Sequence, residues 1–444
     1  MTSRSRSRST TKAAERSRSP KSAGQERPER ALAELCGFLD ASPTPHHVVA
    51  TAAKKLLDAG FVWFDAASEL PDFAGRVTKG FVTRGGALVA FVTSKNVNDK
   101  FRIVGAHTDS PGLHLKSNPE GLAANFGTLE VEVYGSPLLN SWLDRDLDVA
   151  GHVVRRDGQV VMFRSATPVA RLAQLAIHLD RDVNEKGLVL DRHQHLRPTW
   201  TTAESADARE LLSSLTGVNT RDIASWECRL SDVQHSSVVG DDSSMLVSGR
   251  LDNQLSCWAS VHALVHARGP SVVALFDHEE IGSQSTVGAQ SSFLSNVLER
   301  LFAAAGLTRA EFLELISKGQ CISSDNAHAV HPNYAERHDP HNAPLFNRGI
   351  AVKWNTNQRY ATSPESLAPV LAAASASSQT LQHFSSKNTM PCGTTIGPIT
   401  ASQLGIETID IGVPQLSMHS ARETCGVDDA IRLERLLTAY FARS

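Results

Sequence analysis

Short strand-like runs in this chain lead to His, Asp or Glu, and helical stretches separate them. Residues 101–106 run into His107, residues 271–276 into Asp277-His278-Glu279-Glu280, and residues 321–324 into Asp325. Residues 406–411 lead through a loop containing Gly412 and Pro414 to His419. Residues 101–106 and 271–276 are apolar enough to suit strands buried on both faces, and 321–324 and 406–411, half polar, read as short strands. Residues 254–266, 292–305, 365–378 and 427–442 read as helices, the last amphipathic through Ile431, Leu436, Leu437 and Tyr440. Alternation of this kind predicts an α/β fold on a mostly parallel sheet. In such sheets binding sites gather at the carboxyl ends of the strands. A single polar residue after a strand is usually structural, but four strand ends carrying metal-accepting groups point to one shared site.

Two flanking regions do not follow that pattern. Residues 1–28 are Ser/Arg-rich and contain no Leu, Ile, Val, Phe, Tyr or Trp, so a disordered tail is expected there. In the stretch 112–237, Leu129, Val131 and Val133 alternate with Glu130 and Glu132, the pattern of a half-exposed strand. This predicts a β-rich domain over 112–237, inserted between the two parts of the α/β domain, 29–111 and 238–444. Near its start, Thr44 caps a helix that opens with Pro45 and stops at Gly60.

Bulk properties remove several function classes. The formal net charge is -3 with a pI near 6.7, which gives no reason to expect nucleic-acid or membrane partners. No apolar run reaches the ~18 residues of a membrane span. The six cysteines are scattered without close pairs, which fits a reducing compartment and hence the cytoplasm.

Together with Asp252 in Arg250-Leu251-Asp252-Asn253, the set is His107, Asp252, Glu280, Asp325 and His419. Two histidines and three carboxylates suit a pair of divalent metals sharing one carboxylate. Glu279 is a spare carboxylate beside a proposed ligand, available as a base. In extended backbone the two neighbours would point to opposite sides, one ligating and one facing the water. Asp109, two residues past His107, either orients that imidazole or caps a loop.

These segments resemble the aspartyl aminopeptidases, a family of co-catalytic zinc peptidases. The resemblance is carried by Gly105-Ala106-His107-Thr108-Asp109-Ser110-Pro111, Ser141-Trp142-Leu143-Asp144-Arg145-Asp146-Leu147, Leu175-Ala176-Ile177-His178-Leu179 and Glu279-Glu280. It continues in Ala327-His328-Ala329-Val330-His331-Pro332, Gln358-Arg359-Tyr360-Ala361, residues 391–398 and Pro414-Gln415-Leu416-Ser417-Met418-His419-Ser420. It runs from about residue 30 to the C-terminus, and the Ser/Arg-rich tail is not part of it. It implies two zinc ions per subunit, bound by the five residues above, with Asp252 as the bridge and Glu279 as general base. It also implies substrate contacts from His178, His328, Lys353 and Tyr360. Residues 112–237 become a dimerisation domain within a homo-dodecamer, where His178 reaches a neighbour's active site. The expected substrates are peptides with a free N-terminus, Asp or Glu first, although members of the family differ between acidic and neutral preference. Two other readings stay open: a metal-dependent hydrolase of amide or N-acyl substrates, and a non-catalytic assembly subunit.

Overall fold

The computed structural model describes residues 23–73, 75–93, 101–202 and 207–442. Its central sheet has nine strands, in the order Val62–Phe64, Lys79–Arg84, Ala87–Val92, Ser271–Phe276, Arg102–His107, Gln320–Ser324, Glu407–Gly412, Ile350–Lys353 and Leu381–Phe384. The four strands from Ser271–Phe276 to Glu407–Gly412 run parallel. Ala87–Val92 and Ile350–Lys353 flank them antiparallel. The sheet is therefore mixed, although five of its eight strand pairings are parallel, in keeping with the mostly parallel sheet that the strand–helix alternation predicts. Part of the reason is local: Gly85-Gly86 is a two-residue connection between Lys79–Arg84 and Ala87–Val92, and only antiparallel strands can be joined so tightly.

Successive residues of the buried strands face opposite layers, as a period of two requires. Val104, Val273 and Ile322 pack under helices Ala23–Asp40, Pro45–Asp58, Leu251–Val265, Pro364–Ser377 and Val427–Phe441. Ile103, Val272 and Cys321 pack under Phe293–Ala304, Arg309–Lys318 and Ile396–Leu404. Thr44 caps Pro45–Asp58 as expected, its hydroxyl accepting the His47 N–H. The first helix begins at Ala23, so residues 23–28, expected in the tail, are helical; the rest of the tail, residues 1–22, lies outside the described residues.

A second sheet of seven strands draws all of them from between Gly112 and Asp232, around its own core of Leu113, Leu129, Val149, Val153 and Leu230. A third sheet of five short strands, Ser237–Val239, Met245–Ser248, Glu423–Gly426, Pro414–Leu416 and Ala327–His328, knits together the loops that follow the parallel strands. All six cysteines are free. No helix among the described residues is long and apolar enough to cross a membrane.

Candidate metal centre

The carboxyl ends of the parallel strands open onto one cleft. Its lining includes His107, Asp252, Glu279, Glu280, Asp325 and His419. His107 is the last residue of its strand, paired in register with Phe276, and Asp325 directly follows Gln320–Ser324. Gly412 makes room for Asp325: a Cβ there would overlap the Asp325 carbonyl oxygen. Asp252 arrives differently. It lies at the start of Leu251–Val265, where φ −83° and ψ 107° take it out of the helical path, and its backbone N–H is held by Glu423.

Asp252 stands between the two histidines. Its Oδ1 lies 3.4 Å from His107 Nε2, and its Oδ2 lies 3.5 Å from His419 Nε2. Asp325 Oδ1 is 3.8 Å from His107 Nε2, and Glu280 Oε2 is 3.3 Å from His419 Nε2. These separations exceed ordinary hydrogen bonds. They approach the ~3.3–3.6 Å between donor atoms of a tetrahedral zinc shell with ~2.0–2.2 Å bonds. Asp252 Oδ1 and Glu280 Oε1 are also buried without a hydrogen-bond partner among the described residues. Orphaned buried carboxylate oxygens are costly, and a cation satisfies them. The donor set therefore fits divalent cations of the zinc type. Each histidine presents Nε2 to the cleft while Nδ1 faces a backbone carbonyl, that of Asp109 for His107 and of Ser136 for His419, each at 3.1 Å.

Glu279 and Glu280 depart from the sequence expectation of opposite-facing neighbours. His278 adopts a left-handed conformation (φ 63°) and starts a short 3-10 turn, Glu279–Ile281, so both carboxylates reach the cleft. Asp109 holds this turn, accepting the Glu279 N–H at Oδ1 and the Glu280 N–H at Oδ2, both at 3.1 Å. It also accepts the Tyr134 hydroxyl proton over 2.7 Å and lies 3.4 Å from His107 Nδ1. Burial pushes Asp109 up, but His107 and Tyr134 outweigh it and hold the carboxyl at about 2. For Glu279, burial dominates. His107 opposes it, and the charges of Asp325, Asp109 and Asp252 add to it, raising the carboxyl to about 8.

His328, Lys353 and Tyr360 line the same cleft. Lys353 is 2 % exposed; its ammonium donates to the Asn326 carbonyl over 2.9 Å and lies 3.5 Å from Asp325 Oδ2. His328 sits edge-on to Phe384, with ring centroids 6.2 Å apart. His178 is not brought to this cleft; it lies on an exposed stretch with Leu175, Ile177 and Leu179. Two residues that matter here fall outside the sequence reading. Tyr134 is one. Glu423 is the other: its carboxylate accepts the backbone N–H of both Asp252 (2.9 Å) and His419 (2.7 Å). The only local signal for Glu423 is a carboxylate four positions after His419 at the head of a buried strand.

The sequence profile of the Aminopeptidase I zinc metalloprotease (M18) family matches residues 38–441. The chain is 44% identical over 419 residues to a "Probable M18 family aminopeptidase 2" of Streptomyces coelicolor, covering 92% of this chain and 96% of that protein. Among solved structures, the cryo-EM structure of the Ape4 and Nbr1 complex is similar with a TM-score of 0.87 and 31% identity, covering 94% of this chain and 86% of that one. The S. cerevisiae mApe1 dodecamer is similar with a TM-score of 0.82 and 26% identity, covering 94% and 97%.

Proposed function

This chain belongs to the Aminopeptidase I zinc metalloprotease (M18) family, and on that premise we propose that it removes an N-terminal Asp or Glu from peptides with the help of two zinc ions per subunit. The observation that carries the reading is the placement of Asp252, one carboxylate oxygen toward His107 and the other toward His419. His107 and Asp325 would hold one ion with Asp252 Oδ1, and His419 and Glu280 the other with Oδ2. Zinc bound there polarises a carbonyl and acidifies water. Glu279, in the same cleft and 4.0 Å from His107 Nε2 without belonging to either set of ligands, takes the proton of the attacking water on its carboxylate and passes it to the leaving amine. Its carboxyl must be ionised to do so; burial and the neighbouring carboxylates raise it to about 8, and cations held nearby would favour the ionised form. Lys353 lies where an acidic substrate side chain would find a counter-charge, with His328 and Tyr360 shaping the pocket around it.

The assembly reading is a homo-dodecamer in the cytoplasm, with residues 112–237 as a dimerisation domain. The dodecameric yeast relative supports it, and so does the exposed apolar stretch at Leu175 (59 %), Ile177 (45 %) and Leu179 (74 %), which suits cover by a neighbouring subunit. His178 would then enter that neighbour's cleft.

A panel of peptides with free and acetylated N-termini tests the reaction. Cleavage of Asp- and Glu-peptides that disappears on acetylation is the expected result. Cleavage of the acetylated set would move the assignment to an amide or N-acyl hydrolase. No cleavage at all by zinc-loaded oligomers would leave a non-catalytic subunit.

A further inference from the structure

A second cluster of metal-accepting side chains lies outside the cleft, between the two larger sheets. His152 belongs to the strand Asp146–Arg155 and sits directly opposite Glu227 of Ile223–Asp232 in the antiparallel ladder. Residues opposite one another across a ladder project from the same face of the sheet. His46 comes to that face from the first turn of Pro45–Asp58, which packs on the central sheet. One ring nitrogen of each histidine and one Glu227 carboxylate oxygen lie within 4.8 Å of one another. The two imidazoles face each other at 4.1 Å between centroids, tilted by 42°.

From this geometry we propose that His46, His152 and Glu227 form a third metal site, for one zinc-type divalent cation, clamping the helix of one sheet to the strands of the other. Two imidazoles and a carboxylate are a zinc donor set that leaves a fourth position for water. Neither histidine ring has a hydrogen-bond partner among the described residues, so ligation gives up no existing bond. All three side chains are half-buried, which leaves an entry path and lets them close on an ion. Arg229 is the competing cation. It donates to Glu227 Oε1 over 2.9 Å and is held with its guanidinium 4.9 Å from the Tyr134 ring centroid, leaving Oε2 for the ion. Burial first, and the facing His152 second, hold His46 at about 4, and burial also lowers His152, which favours the neutral imidazole that a metal takes. The ion would bind the folded arrangement only, so it would add to stability in proportion to its occupancy.

The test is metal content by mass spectrometry after equilibrium dialysis of the full-length protein against micromolar free zinc. Wild type should hold one more zinc per chain than His152→Gln and one more than His46→Gln, with peptidase turnover unchanged in both variants. This difference does not depend on how many ions the cleft holds, so it stands or falls apart from the peptidase reading. Should a histidine variant fail to fold, Glu227→Gln, which keeps the side chain's size, gives the same comparison. Zinc should also raise the melting temperature of wild type more than that of the variants. Equal zinc content in wild type and folded variants, or loss of turnover along with the missing zinc, would overturn the site.

Discussion

Asp109 Oδ1 accepts the backbone N–H of Glu279 over 3.1 Å, and the same carboxylate's Oδ2 accepts that of Glu280. One buried side chain thus fixes the turn that presents both a proposed base and a proposed ligand. Asp109→Asn keeps the shape but replaces one acceptor oxygen with a donor, setting it against a buried N–H. Changes of this kind behind a metal ligand cost about 10–100-fold in activity or metal affinity. Turnover and zinc affinity measured together check it. If both stay within twofold of wild type, the turn is set by something else.

Glu279→Gln should leave zinc content nearly unchanged and reduce turnover by roughly 10²–10⁴-fold, the usual cost of losing a general base. Its Oε2 stands 4.0 Å from His107 Nε2, farther than the nearer ligand carboxylates. Emptied metal sites, or turnover within a few-fold of wild type, would contradict the role.

Asp252→Ala should empty both metal positions together, because its two oxygens face different histidines. The change also leaves His107 and His419 with fewer acceptors between them. Metal analysis that finds one ion retained, with half the activity, would show that the carboxylate does not bridge.

The ligands at strand ends were legible because a parallel strand buried on both faces must be apolar, so a polar residue at its end stands out. His107 is such a residue; Asp325 stands out less, because Gln320–Ser324 ahead of it already carries Gln320, Ser323 and Ser324. Asp252 was legible only by its neighbours in sequence, since no strand of the central sheet leads to it. The turn at Glu279–Ile281 was not legible: nothing in the residue types around His278 announces a left-handed backbone. Glu423 escaped for another reason. It acts on backbone amides, one of them at Asp252, 171 positions away, and side-chain patterns carry no record of such partners. The His152–Glu227 pairing depends on strand register in the same way. The helix Arg309–Lys318 is absent from the sequence reading although the Thr308–Glu311 capping box signals it.

His178 should be needed for activity although it lies outside the cleft of its own subunit. An inactive Glu279→Gln chain and an inactive His178→Ala chain each supply what the other lacks. Assembled together, they should regain part of the activity, since a mixed interface can join an intact Glu279 to an intact His178. Verified mixed oligomers with no regained activity would remove His178 from the site.

Lys353 has two candidate duties, and one substitution separates them. Its ammonium is buried at the cleft wall, 2.9 Å from the Asn326 carbonyl, 3.5 Å from Asp325 Oδ2 and 5.2 Å from the Tyr360 ring centroid. A buried lysine is uncommon unless paired, and here the pairing is with a proposed metal ligand. That geometry suits a group that steadies Asp325. It also suits a counter-charge for an acidic N-terminal residue, because a charge-assisted bond in a closed pocket is strong and selective. Lys353→Met keeps the aliphatic stem and removes the charge. If the lysine reads the substrate, hydrolysis of N-terminal Asp and Glu should fall at least tenfold further than that of Leu or Ala, with zinc retained. If it serves only Asp325, all four substrates should fall alike and zinc should be bound more weakly. Turnover on the four substrates beside metal content, in wild type and variant, decides between them; a uniform loss would withdraw Lys353 from specificity and leave it as support for Asp325.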